Sequence, residues 1–564
     1  MKFCSYLHQI GLFAVTIFLL SCKSYLQYDH IIRNAMIYDG TGSEGYRADI
    51  GINADTIAFI GDLSKSKGKL ETDAKGMAVA PGFINMLSWA NQSLLIDGKS
   101  ESDLLQGVTL EVMGEGESMG PLNAGMKAEM IADMKESKVD VSWTTLGEYL
   151  NHLEKKGISC NVASFVGATT LRIHVVGEDD RQATDAELDS MKLLVRQAME
   201  EGAMGVGSSL IYPPAFFAST KELTELCKAA STYNGMYISH MRSEGNKLYD
   251  AVEELMTIAN DAKIRAEIYH LKAAGKANWL KMDSVIHRIE RAQKEGLEVT
   301  ANMYNYTAGG TGLTACLPPA LQDGGFGKLW QRLHDANVRA QTKKAINTNA
   351  MDWENFFVAA GSPENILLVG FTKDSLRKYT GKTLLEVAQL KGTPVEETLM
   401  DLIIQDSSRI GTIYFLMDEQ NLRKQIVQPW MGFGSDEGSY TNHPAFLKSN
   451  AHPRAYGNFA KVLAKYCREE KLISLPEAIR KLSGLSAQKL RLQKRGVLKV
   501  GYFADVIIFD PQKIQDHATF SEPRQFATGM QHVFVNGKQV IQDGKHTGVF
   551  SGRFVKGPGW KQNL

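Results

Sequence analysis

Short runs of alternating apolar and polar residues fill the first eighty positions and return only near the end of the chain. Residues 30–38 (His-Ile-Ile-Arg-Asn-Ala-Met-Ile-Tyr), 49–52 and 56–60 are apolar-rich runs bounded by Gly, Asn or Asp, the pattern of short strands joined by turns. Residues 504–510 and 532–538 repeat it. Two β-rich ends predict one small β-sandwich domain assembled over 28–80 and 490–555. Between them the period changes. Apolar residues recur at helical spacing over 188–204, 223–230 and 248–262, and short apolar runs follow at 205–210, 236–240 and 264–270. Repeated strand–helix units predict a parallel sheet covered by helices. The length of this middle part, 81–489, is about 400 residues and suits a (β/α)8 barrel with insertions. The stretch from about 313 to 362 interrupts the alternation and is expected to be such an insertion.

The first 22 residues follow a different pattern. Met1-Lys2 supplies a positive charge, 10–20 is almost wholly apolar, and Leu19-Leu20-Ser21-Cys22 closes the segment. That is the outline of a secretory signal, and the last four residues resemble a bacterial lipobox in which Cys22 is lipidated after cleavage. The expectation is an exported protein, periplasmic or at the cell surface, tethered to the envelope by lipid without spanning it. An ordinary signal peptide with an incidental Cys22 is the alternative. No later stretch is apolar for the ~18 residues that a membrane span requires. With 63 basic and 63 acidic residues, the chain lacks the basic excess of a nucleic-acid binder. Cys160, Cys227, Cys316 and Cys467 are far apart and form no metal-type pair. They read as buried free thiols, although export would permit a disulfide.

Candidate chemistry gathers at the ends of apolar runs. His240 closes Met-Tyr-Ile-Ser-His, and His270, one strand–helix unit later, closes Ala-Glu-Ile-Tyr-His. Side chains at the C-terminal ends of barrel strands surround the active site, and two imidazoles from neighbouring strands are natural zinc ligands. Either histidine alone reads as well as a polar residue closing a strand; the repeated placement favours ligands. The run Met113-Gly114-Glu115-Gly116-Glu117-Ser118 also follows an apolar stretch. Its carboxylates are flanked by glycines that allow close backbone approach to a metal or substrate; a solvated acidic loop is the alternative. Gly434-Ser435-Asp436-Glu437-Gly438 ends a further run. Asp436 there could accept a proton from water and return it to a leaving amine, or simply cap a helix.

Taken together, these segments carry a family resemblance over about 30–555. Ala80-Pro81-Gly82-Phe83-Ile84 resembles the barrel entry of the amidohydrolase superfamily, and 501–510 with Val535-Asn536-Gly537 resembles its return to the sheet domain. More narrowly, 239–245, 269–275, 302–308, Gly434-Ser435-Asp436 and His452-Pro453-Arg454 are similar to those of D-aminoacylases, the N-acyl-D-amino-acid deacylases. The resemblance implies His240 and His270 as zinc ligands and Asp436 as catalytic acid/base. It also implies Lys272, Tyr306 and Arg454 as the pocket for a substrate carboxylate, a role that suits a guanidinium fork and an ammonium.

Two departures from the family pattern change the expected metal site. The family has a His-x-His pair where this chain has Leu87 and Trp89, neither of which can ligate zinc, so a single ion is expected. Its ligating Cys is replaced by Glu115, with Glu117 as the other possible alignment. A carboxylate makes a harder ligand set, more open to other divalent ions. The resulting expectation is hydrolysis of a linear amide in a small carboxylate-bearing substrate, an N-acyl-D-amino acid. A dipeptidase or cyclic-amide hydrolase on the same site, or a surface binding protein without catalysis, are the alternatives.

Overall fold

A computed structural model describes residues 27–562. The segment expected to be a signal, 1–22, and its Cys22 lie outside the described residues. No helix among the described residues is long and apolar enough to cross a membrane.

Strands from the two chain ends form one nine-stranded sheet. From edge to edge it runs Lys545–His546, Lys538–Gln542, Met530–Val535, Val506–Phe509, Ala78–Pro81, Gln27–Ile37, Tyr46–Asn53 and Thr56–Gly61, and Lys67–Asp73 pairs with Gln27–Ile37 off this path. The strands expected to make the sandwich are thus joined in one continuous hydrogen-bonded path. Its first strand is the reason: the register shifts between Ile32 and Ala35, so 27–33 pair with Lys67–Asp73 while Met36 and Ile37 pair with Ala78–Pro81. Alternate side chains (Ile32, Ile50, Ile57, Val506, Ile508, Phe534) meet in a core of their own, as the period-two pattern demands. The two ends are joined where Ala78–Pro81 lies antiparallel to Val506–Phe509.

The middle of the chain forms two parallel arcs. One holds Phe83–Asn85, Val108–Met113 and Asn161–Ser164; the other holds Val166–Gly167, Gly205–Ser209, Met236–His240, Arg265–Ile268, Val299–Met303 and Met431–Phe433. Nearly every residue of these strands is buried, which explains why they read as apolar runs without alternation. Hydrogen bonds connect the arcs on both sides. Met204 N, leading into Gly205–Ser209, donates to Ser164 O at 2.9 Å, and Met86 N donates to Phe433 O at 3.1 Å. The covering helices include Asp185–Glu201, Thr220–Ser231 and Leu248–Ala262. Asp185–Glu201 starts from a capping box of Thr184 and Glu187 and stops at the left-handed Gly202, satisfying backbone groups left open at each end.

Val299–Met303 and Met431–Phe433 are paired neighbours, yet a long excursion separates them in sequence. It contains an antiparallel sheet of Ala308–Gly312, Gly411–Phe415, Ile366–Gly370 and Lys382–Thr383. The break in the alternation therefore extends on both sides of 313–362. Cys160, Cys227 and Cys316 are buried, Cys467 is half-buried, and all four are free thiols.

Candidate metal centre and catalytic site

Parallel strands deliver their C-terminal ends to one side, and the candidate residues stand there. His240 is the last residue of Met236–His240. His270 and Glu115 each lie two residues past a strand, and Asp436 three past Met431–Phe433. His270 and Asp436 have left-handed backbones, with φ of 32° and 53°, a conformation that costs a non-glycine residue about 1–3 kcal/mol unless the surroundings impose it. Here they do. His270 N donates to Asn302 Oδ1 at 2.9 Å, and Asn302 Nδ2 donates to Glu267 Oε1 at 2.8 Å. Lys489 Nζ in turn pairs with Glu267 Oε2 at 3.0 Å. Asp436 N donates to Leu87 O at 2.9 Å. Around Glu115 the backbone has no room for side chains: a Cβ on Gly114 would stand 2.3 Å from Phe165 O, and one on Gly116 would stand 2.5 Å from Ser209 Cβ.

Glu115 is the hub of the cluster. Its Oε1 lies 3.0 Å from His240 Nδ1 and 2.8 Å from His270 Nε2, and one donor atom from each of the three residues falls within 4.8 Å of the others. The two imidazole rings are 4.5 Å apart at 88°. Glu117 is exposed, so Glu115 is the carboxylate that the turn brings to the histidines. On the other side of Glu115, the Trp89 indole N–H donates to Oε2 at 2.9 Å and to Asp436 Oδ1 at 3.2 Å. Asp436 Oδ2 is 2.8 Å from Arg454 Nη2.

The charges explain what this cluster can hold. Burial works against the Glu115 carboxylate, yet the adjacent imidazoles, His270 first, hold its carboxyl well below the usual range. Glu244 is likewise depressed against its burial, by Lys272 and both histidines. His270 is pushed up to about 9: burial and the Lys272 ammonium oppose its charge, but Glu244, Glu115 and Asp436 outweigh them. Burial raises Asp436, countered by Arg454 and reinforced by Glu115. With the histidines neutral, as metal ligands are, three carboxylates face two fixed cations, Lys272 and Arg454, which leaves one negative charge uncompensated; the proton on His270 is what otherwise balances it. His240 Nε2 is also buried without a hydrogen bond, 3.5 Å from Glu244 Oε2. Two imidazoles and a carboxylate, with excess negative charge and an unused nitrogen, fit a divalent cation such as Zn²⁺.

The residues expected around a substrate carboxylate are placed unevenly. Arg454 is 2% exposed, and its Nε and Nη1 have no partner. Lys272 is held at 2.5 Å from Glu244 Oε1 and 2.7 Å from His270 Nδ1. Tyr306 is not brought to the cluster. Its ring lies under Lys461 Nζ at 3.8 Å and edge-on to His452 and Phe520. Tyr304 takes the nearer place, with its ring 4.3 Å from the Arg454 guanidinium carbon and 6.2 Å from the His270 ring. Glu244, Trp89 and Tyr304 are thus site residues that sequence reasoning passes over. The only signal for Glu244 was its place four residues after His240.

Residues 430–541 match the Amidohydrolase family. D-aminoacylase of Alcaligenes xylosoxydans xylosoxydans is 31% identical over 94% of this chain and 97% of its own length. A solved structure of D-aminoacylase, described for its binuclear metal centre with one-metal activation and second-metal attenuation, superimposes with a TM-score of 0.77. It is 30% identical over 94% of this chain and 100% of that one. The N-acyl-D-glutamate deacylase of Bordetella bronchiseptica, complexed with zinc and a phosphonate mimic of the tetrahedral intermediate, gives 0.77 at 26% identity over 94% and 100% of the two chains. An enzyme of this class is a metal-dependent amidohydrolase acting on linear amides. Within that class, the chain belongs to the D-aminoacylase family.

Proposed function

We propose that the chain removes the acyl group from N-acyl-D-amino acids at a single divalent ion, Zn²⁺, held by Glu115, His240 and His270. The observation that carries this reading is the convergence of His240 Nδ1 and His270 Nε2 on one oxygen of Glu115, with Asp436 joined to the same carboxylate through Trp89. When bound, the ion supplies Lewis acidity to the scissile carbonyl and to a water molecule. Asp436 takes the proton from the attacking water and returns it to the departing nitrogen. Its position between Trp89 and Arg454 keeps it oriented for both transfers. Arg454 presents the unpartnered Nε and Nη1 to the substrate carboxylate, a charge-assisted contact favoured by burial. Tyr304 stacks beneath the guanidinium, and Lys272 adds positive charge to the same region while holding Glu244, whose Oε1 lies 3.0 Å from His270 Nδ1 and accepts its proton.

The same reading takes the two arcs as one (β/α)8 barrel. The hydrogen bonds Met204 to Ser164 and Met86 to Phe433 support closure. It takes the sheet of both chain ends as a separate domain beside the 81–489 body. Export and a lipid anchor at Cys22 belong to it as well, on the strength of Leu19-Leu20-Ser21-Cys22. The test is hydrolysis of N-acetyl-D-amino acids against their L-counterparts, dipeptides and cyclic amides, run beside Asp436→Asn. Hydrolysis of the D-series is expected, with kcat falling at least about 10³-fold in the variant and one zinc per chain retained in both. Turnover restricted to dipeptides or cyclic amides, or a chain that binds no metal, would overturn the reading.

A further inference from the structure

The segment 85–89 runs beside 433–437. Met86 N donates to Phe433 O at 3.1 Å, Asp436 N to Leu87 O at 2.9 Å and Trp89 N to Glu437 O at 2.8 Å. This pairing aims the Trp89 side chain across the centre. Its single N–H is shared between Glu115 Oε2, at 2.9 Å, and Asp436 Oδ1, at 3.2 Å. The remaining oxygen of each carboxylate is committed elsewhere, Glu115 Oε1 to the two histidines and Asp436 Oδ2 to Arg454.

From this arrangement we infer that Trp89 is a positioning residue that makes the centre mononuclear. A second cation shared by the two carboxylates would have to stand between Glu115 Oε2 and Asp436 Oδ1, and the indole N–H stands there. The indole provides the positive end of a dipole in place of an ion, and its bulk fills the space that ion and its water would need. It also fixes the relative orientation of the metal-ligating carboxylate and the acid/base carboxylate, which no other side chain among the described residues hydrogen-bonds together. Leu87 completes the exclusion. It is fully buried, and its Cβ would lie 2.7 Å from a Cβ on Gly434, so the place of the first histidine in the family's pair holds only apolar atoms. The D-aminoacylase described with a binuclear centre and second-metal attenuation provides the contrast: here the attenuating site is closed by an aromatic side chain.

The inference rests on the single-ion reading above, and zinc counting separates the two. Elemental analysis after saturation with zinc and gel filtration is expected to give one zinc per chain for the natural protein and for Trp89→Phe. It should give two for the double variant Leu87→His/Trp89→His. Trp89→Phe keeps the ring and loses the donor. Its kcat should fall about 10- to 100-fold, the effect of losing a hydrogen bond to charged groups, with KM within threefold. One zinc in a folded double variant, or a Trp89→Phe enzyme with unchanged kcat, overturns the role of Trp89. A natural protein without zinc would instead defeat the metal reading itself.

Discussion

Replacing Asn302 with Leu removes the support beneath His270 while keeping the side-chain volume. Asn302 is fully buried, accepts from His270 N at 2.9 Å and donates to Glu267 Oε1 at 2.8 Å. Leucine leaves the His270 N–H buried without an acceptor, a cost of about 1–3 kcal/mol. Glu267 Oε2 keeps Thr300 Oγ1 at 2.7 Å and Lys489 Nζ at 3.0 Å, so its charge stays paired although Oε1 loses the Asn302 donor; the melting control reads that cost, and zinc affinity reads the loss at His270. That residue's left-handed φ of 32° is held against about 1–3 kcal/mol of backbone strain, and the missing hydrogen bond lets it relax. A ring displaced from Glu115 is a weakened ligand. Removing the outer support of a ligating histidine typically lowers metal affinity 10- to 100-fold, and the two costs above are large enough to produce that. The assay is zinc titration against a competing chelator, with thermal melting followed by circular dichroism as the control for folding. A natively melting Asn302→Leu variant that binds zinc within threefold of the natural protein would refute the argument.

Three further outcomes follow from other sites. Gly207→Ala places a Cβ 2.0 Å from Gly114 O; because a backbone atom must move, the Glu115 turn shifts, and both melting temperature and zinc content should fall. Glu222→Gln leaves the buried Arg172, paired at 2.7 Å, without its counter-charge. This is expected to destabilise the chain by about 3 kcal/mol or more, read from denaturant unfolding, whereas Arg172→Met/Glu222→Leu should recover much of that loss. His30 is lowered from 6.5 to about 4 by burial and by His532 beside it. Its neutral form is the one the fold favours, so its contribution is full above pH 6.5 and is lost as pH falls from 6.5 towards 4. At most about 3 kcal/mol is involved. Unfolding measured across that window should show a slope that His30→Gln flattens.

The helix–strand alternation was legible wherever burial and period agreed. Residues 248–262 carry an apolar stripe along one face and fold as Leu248–Ala262, and 236–240 fold as the strand that ends on His240. Two kinds of strand escaped. Lys67–Asp73 is almost wholly exposed and rich in charge; it is a strand because Gln27–Arg33 offers it a parallel edge, a tertiary cause with no local signature. Ala308–Gly312 is mostly glycine and reads as a turn. At the site, His240, His270 and Asp436 were visible because strand ends announce themselves. The pair Tyr304 and Tyr306 was not separable, since strand parity fails once Val299–Met303 has ended: Tyr304 turns to Arg454 and Tyr306 to Lys461. Trp89 was readable only as a residue unable to ligate. That its N–H would join two carboxylates depends on the pairing of 85–89 with 433–437, which no local pattern encodes.

The strand Ala78–Pro81 finds its partner Val506–Phe509 only after the whole body between them has been synthesised. Until then one face of Gln27–Ile37 and the edge of Ala78–Pro81 stand open on the growing chain, and contacts of such long range form late. The last strands therefore act as a closing stitch: a chain truncated before 506 leaves an unpaired apolar edge of the kind that seeds aggregation. Assembly of the nine-stranded sheet thus waits on strands that follow the whole body in sequence.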